Sequence, residues 1–119
     1  MPNPYGAPEK SVLEVEQKRN DGDGFVWLDV REAFELNHAA IEDERIIVTP
    51  LSELAQRQLD ALPQVASDKD AEIIVMCHHG IRSAQVVVWL RQQGWTNVLN
   101  LAGGIDAWAA EVDHAVGVY

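Results

Sequence analysis

This sequence predicts an α/β fold, with a mainly parallel sheet covered by helices on both faces, and three observations carry that reading. Short apolar runs rich in β-branched residues recur between segments of helical character. Those runs, such as Ile73-Ile74-Val75-Met76, are apolar throughout rather than alternating, as strands buried on both faces are. The chain's 119 residues, 47% of them apolar, suit a single domain over residues 1–119 with a core that needs no disulfide or structural metal.

The elements follow in order. Ser11-Val12-Leu13-Glu14 has capping-box spacing and opens a helix that runs to Asn20, where Asp21-Gly22-Asp23-Gly24 breaks it. Phe25-Val26-Trp27-Leu28 predicts a strand, with Asp29 and Arg31 at its end. Residues 31–36 predict a helical turn in which Arg31 and Glu35 are spaced to pair, worth ~0.3–0.5 kcal/mol if exposed. Ile46-Ile47-Val48 predicts a second strand closed by Thr49-Pro50, and residues 52–62 a helix capped by Ser52 and stopped near Pro63. Ile73-Ile74-Val75-Met76 is the third strand, and residues 83–93 form the clearest helix, ended by Gly94. Residues 95–101 predict a further strand, Gly103-Gly104 a turn, and residues 105–111 a last helix. Trp27, Trp89, Trp95 and Trp108 are expected in the core or in pocket walls. In such sheets crossovers are right-handed and ligands sit beyond the carboxyl ends of strands.

Charge and cysteine usage exclude several functions. Nine basic against 19 acidic residues give a net charge of −10, which argues against nucleic acid and anionic membranes as partners. The start, Met-Pro-Asn-Pro-Tyr-Gly, has neither a basic region nor an apolar run, and no stretch reaches the ~18 apolar residues of a membrane span. One cysteine makes no internal disulfide, Cys-x-x-Cys redox pair or Cys-based zinc site, so a reducing compartment, the cytoplasm, is expected. Between Ile73 and Ile105 there is no acid and only Arg82 and Arg91 are charged, so an acidic chain holds one stretch suited to an anion.

That stretch contains Cys77-His78-His79-Gly80-Ile81-Arg82-Ser83, between a buried strand and a helix. A thiol at the foot of a helix meets the positive end of the macrodipole and free backbone N–H groups, both favouring thiolate. Gly80 allows positive φ, so that successive N–H groups can turn into one anion nest, and Arg82 with His78 or His79 adds positive charge at its rim. A lone cysteine after four apolar residues is also what a small core residue looks like. Two histidines, a glycine and an arginine just after it have little use in tight packing. The adjacent histidines lack a third ligand nearby in sequence, so no metal and no other cofactor is expected.

Four segments in order resemble the signatures of the single-domain rhodaneses, the thiosulfate sulfurtransferase family. They are Leu28-Asp29-Val30-Arg31-Glu32, Thr49-Pro50-Leu51-Ser52-Glu53-Leu54, the Cys77 to Ser83 loop, and Leu101-Ala102-Gly103-Gly104-Ile105-Asp106-Ala107-Trp108. The resemblance implies a five-stranded, mainly parallel sheet and a catalytic Cys77 that takes sulfur from thiosulfate or a similar small anionic donor as a persulfide. The sulfur then passes to cyanide, a thiol or a protein acceptor. His78, His79, Gly80, Ile81, Arg82 and Ser83 would bind the substrate. An alternative of another class is a persulfide-carrying or regulatory module loaded by a partner desulfurase. Related phosphatases place five residues between Cys and Arg, whereas four separate Cys77 from Arg82, which disfavours phosphate-ester hydrolysis. Asn37-His38-Ala39-Ala40-Ile41 departs from the family's Gly-His-Ile-Pro-Gly-Ala segment: His38 matches and the turn glycines do not. Asp29 and Arg31 are expected to hold neighbouring loops.

Overall fold

A computed structural model describes residues 3–119. Met1 and Pro2, part of the stretch read above for a leader, lie outside the described residues. Five strands, β1 (Glu9–Lys10), β2 (Val26–Asp29), β3 (Ile46–Val48), β4 (Ile73–Met76) and β5 (Val98–Leu101), form one sheet in the order β1-β5-β4-β2-β3. Every pairing is parallel. Four helices cover it: α1 (Val12–Asn20), α2 (Leu51–Arg57), α3 (Arg82–Gln92) and α4 (Gly104–Glu111).

The apolar strands are explained by burial on both sides. Ile73 and Val75 face one cluster, with Val86, Val87 and Leu90 of α3 and Leu54 of α2. Ile74 and Met76 face the other, with Val12 and Val15 of α1 and Ile105 and Trp108 of α4. Trp27, Trp95 and Trp108 are buried core residues, and Trp89 lines an apolar groove of about 320 Å³ between α2 and α3. Cys77 continues the parity of Ile73 and Val75, which directs it to the α3 side.

Several sequence expectations change. β1, two residues on the sheet edge, was not expected from the residues; it pairs in register with β5, Glu9 opposite Asn100. The capping box at Ser11 forms as expected, its hydroxyl accepting from the Glu14 amide and the Glu14 carboxylate from the Ser11 amide. The helix expected over residues 52–62 begins at Leu51 and is cut short at Arg57 because Gln58 takes φ +55°; a 3-10 turn, Gln58–Ala61, follows. Ser52 caps nothing: its hydroxyl donates to Glu32 at 2.6 Å, and Pro50 holds the cap position. The last strand starts at Val98 rather than Trp95, whose indole N–H is tied to the Ala66 carbonyl. Residues 33–37 form a 3-10 turn (Ala33–Asn37), and Arg31 and Glu35 do not pair with each other.

Candidate active site

The site lies where β4 hands the chain to α3. The carbonyls of Cys77 and His78 are drawn off by the first turn of α4, which donates from Ile105 N (2.9 Å) and Asp106 N (3.1 Å). This approach requires glycine at Gly104: with φ +62°, a Cβ there would stand 2.5 Å from both carbonyl oxygens. With its carbonyls held outward, the loop turns its N–H groups inward. Gly80, at φ +89°, donates its N–H to the Cys77 sulfur at 3.1 Å. Ser83 donates its N–H at 3.4 Å, and its hydroxyl lies 3.2 Å from the same sulfur. Cys77 is 1% exposed, yet three donors and the N-terminal turn of α3 converge on it.

Behind the sulfur runs a chain of polar groups, Ser83 and Asn100 buried and Glu9 half-buried. The Ser83 hydroxyl is also within hydrogen-bonding reach of Asn100 Oδ1. Asn100 Nδ2 donates to the Gly80 carbonyl at 2.9 Å and to Glu9 Oε2 at 2.8 Å. Neither Asn100 nor Glu9 was singled out from sequence. The available signal was Asn100 itself, a polar residue inside the apolar run Val98-Leu99-Asn100-Leu101.

Of the loop residues expected at the substrate, Gly80 and Ser83 are buried against the sulfur, while His79 and Ile81 are exposed. Arg82 is not the unpaired cation the acid-free stretch suggests. Its Nη1 and Nη2 grip both oxygens of Glu35 at 2.7 and 2.8 Å, and its side chain is 33% exposed. The fold brings acids to the cationic stretch, a juxtaposition sequence distance hides. The Arg82 guanidinium, bonded to Glu35, takes that carboxyl down to about 2, and the Glu32 amide and Tyr119 hydroxyl assist against burial. The same pair raises Arg82 above its ordinary value.

His78 is stacked between His79, centroids 3.8 Å apart, and Tyr119 at 3.7 Å with the rings nearly parallel. Burial pushes His78 below the ordinary histidine value and the neighbouring His79 adds to it, so the expected positive charge at the rim is not favoured on His78. Asp106 of α4 lies 3.7 Å from His79 Nδ1 and supplies the third acidic or imidazole group that sequence spacing lacked. One ligand atom from each of His78, His79 and Asp106 lies within 4.8 Å of the others. Ring nitrogens bind metals in the ring plane, so two stacked imidazoles must splay apart before they share an ion.

Beside the loop, Asp29 and Arg31 form a buried bidentate pair: Nη2 to Oδ2 is 2.8 Å and Nε to Oδ1 is 3.0 Å. Arg31 also donates to the Ala39 carbonyl at 2.8 Å and to Tyr119 Oη at 3.2 Å, and Tyr119 in turn donates to Glu35 at 2.9 Å. Asp29 and Arg31 thus tie three segments together, as expected. His38 is exposed and stacks on Tyr119, centroids 5.5 Å apart. Glu35 and Tyr119 complete this cluster; Tyr119 was not anticipated, and Glu35 was expected as the partner of Arg31 rather than of Arg82. No described helix is long and apolar enough to cross a membrane.

A family model for the rhodanese-like domain matches residues 11–111. Over 111 residues the chain is 34% identical to the rhodanese-like/PpiC domain-containing protein 12, chloroplastic, of Arabidopsis thaliana, covering 91% of this chain and 36% of that one. It therefore spans little more than a third of that relative. Over 95 residues it is 33% identical to a sulfurtransferase of Allochromatium vinosum, covering 80% and 81% of the two chains. A rhodanese-related protein from Thermoplasma volcanium superposes with a TM-score of 0.70 at 31% identity, covering 88% and 93%.

Proposed function

The chain belongs to the rhodanese-like family, and from that premise we propose that it moves sulfane sulfur from thiosulfate or a similar anionic donor to a thiophilic acceptor through a persulfide on Cys77. The observation that carries this reading is the convergence of the Gly80 and Ser83 N–H groups and the Ser83 hydroxyl on one sulfur.

In loading, the Cys77 thiolate attacks the outer sulfur of thiosulfate. A new S–S bond forms as the donor's S–S bond breaks, and sulfite leaves with the electron pair. In unloading, the acceptor attacks the outer sulfur and Cys77 leaves as a thiolate. Negative charge thus appears on Cys77 at the start of one step and the end of the other, where fixed N–H dipoles stabilise it without reorganising. Arg82 retains N–H groups beyond those given to Glu35, and these serve to orient the anionic donor. His79 and Ile81 are the exposed parts of the loop that a donor or acceptor meets from solvent. A lone thiol as the working group suits a reducing compartment such as the cytoplasm.

A second reading, a carrier loaded by a partner desulfurase, draws on the 1% exposure of Cys77 in a loop whose Ile81 is 44% exposed. One experiment separates the two. Reduced protein incubated with thiosulfate should gain the mass of one sulfur atom, and Cys77→Ser should gain none. No gain from thiosulfate but a gain from a desulfurase would replace the enzyme reading with the carrier one.

A further inference from the structure

We propose that Asn100, held in orientation by Glu9 and the Gly80 carbonyl, is a positioning residue that competes with Cys77 for the single proton of the Ser83 hydroxyl and so makes that hydroxyl a two-way donor.

The orientation follows from donor and acceptor counts. The two hydrogens of Asn100 Nδ2 go to Glu9 Oε2 at 2.8 Å and Gly80 O at 2.9 Å, both of which only accept. Turned over, the amide would set its oxygen against a carboxylate and a carbonyl. Oδ1 must therefore face Ser83, whose hydroxyl is within reach of both Oδ1 and the Cys77 sulfur at 3.2 Å. One hydrogen cannot serve two acceptors fully. When Cys77 is a thiolate, its charge draws the hydroxyl to sulfur, since hydrogen bonds to ions are about twice as strong as neutral ones. When Cys77 is protonated, the hydroxyl bonds Asn100 and accepts from S–H. In the persulfide the charge moves to the outer sulfur, and the hydroxyl again turns to Asn100. The strand register makes the arrangement rigid, because Glu9 and Asn100 are direct partners across β1 and β5 and Asn100 pairs with Val75, two residues before Cys77.

Although this rests on Cys77 as the working sulfur, the test reads that thiol without any sulfur transfer. Iodoacetamide labelling of Cys77 is followed against pH in the full chain. Asn100→Leu removes the competing acceptor, leaves the hydroxyl to the sulfur, and should move the labelling midpoint down by about half a pH unit or more. If Asn100 only braces the loop, its loss loosens the Gly80 amide from the sulfur and the midpoint stays or rises, which overturns the proposal. In a Ser83→Ala background the downward move should vanish; its persistence there also overturns it. Should Asn100→Leu fail to fold, Glu9→Ala on the edge strand decides: it frees one side of the amide and should give a smaller downward move, with Glu9→Gln close to wild type. No move in Glu9→Ala counts against the proposal. His78, His79, Arg82, Glu35, Asp106 and Tyr119, the other titratable groups around the loop, are unchanged in all these variants. Uptake of sulfur from thiosulfate by the wild type is scored separately, so its failure removes the transferase reading and leaves the labelling result standing.

Discussion

Two polar regions meet at the carboxyl ends of the strands and differ in what remains unmatched. In the cluster of Asp29, Arg31, Glu35, Arg82 and Tyr119, charges are paired with charges or with hydroxyl and carbonyl groups, and Arg31 is wholly buried. In the Cys77 loop, donors from Gly80 and Ser83 converge on a neutral-capable sulfur to which no cation among the described residues is bonded. The first arrangement stabilises a shape, with N–H groups of Arg82 left over for a donor. The second, on the proposed function, stabilises a charge that comes and goes. Proximity to a reactive group therefore does not make a residue chemical; the test is whether its hydrogen-bonding capacity is already spent.

The sharpest way to break this contrast is Asp29→Ala. It leaves the Arg31 guanidinium buried without its carboxylate and should cost about 3–5 kcal/mol in urea unfolding. Sulfur uptake per folded molecule should change little. Unaltered stability with lost uptake would move Asp29 out of the framework and into the chemistry. Cys77→Ser should show the opposite pattern, abolishing uptake with a stability change of about 1 kcal/mol or less, because the Gly80 and Ser83 groups that face the sulfur satisfy the new hydroxyl.

A smaller effect belongs to Glu35. Its folded carboxyl sits at about 2 against an unfolded 4.5, so unfolding takes up a proton between those values. The stabilisation is fully present above pH 4.5 and is lost as pH falls toward 2. Arg82 is one-third exposed, which screens the pair, and about 1–3 kcal/mol is expected. Denaturant melts of wild type and Glu35→Gln at pH 6 should differ by that amount and converge near pH 2. A constant difference across this range would show that Glu35 acts by packing alone.

Much of the architecture is legible in the chain because local signals and tertiary demands agree. The four-residue run Ile73–Met76 has no other use than a strand buried on both faces, and the Ser11 capping box closes as its spacing requires. The failures are those of long range. β1 is two residues held only by pairing with β5, and no local periodicity announces so short an edge. Gln58 carries no turn signature, yet its positive φ divides the expected helix. At the site, the loop from Cys77 to Ser83 is contiguous and readable, whereas its supports Glu9, Glu35, Asn100 and Tyr119 each lie at least 17 residues from it in sequence. The pairing of Arg31 with Glu35 fails for a related reason. The i,i+4 spacing favours contact only on a regular α-helix, and the segment is a 3-10 turn that leaves Glu35 to Arg82.

The central claim, that backbone N–H groups of the loop hold the reacting sulfur, is tested most directly by amide NMR of the chain before and after thiosulfate, with intact mass recorded on the same sample. The prediction is that the Gly80 and Ser83 amide signals move more than those of any strand residue once sulfur is bound, and that neither moves in Cys77→Ser. A mass gain of one sulfur atom with the Gly80 and Ser83 signals unmoved would contradict the claim.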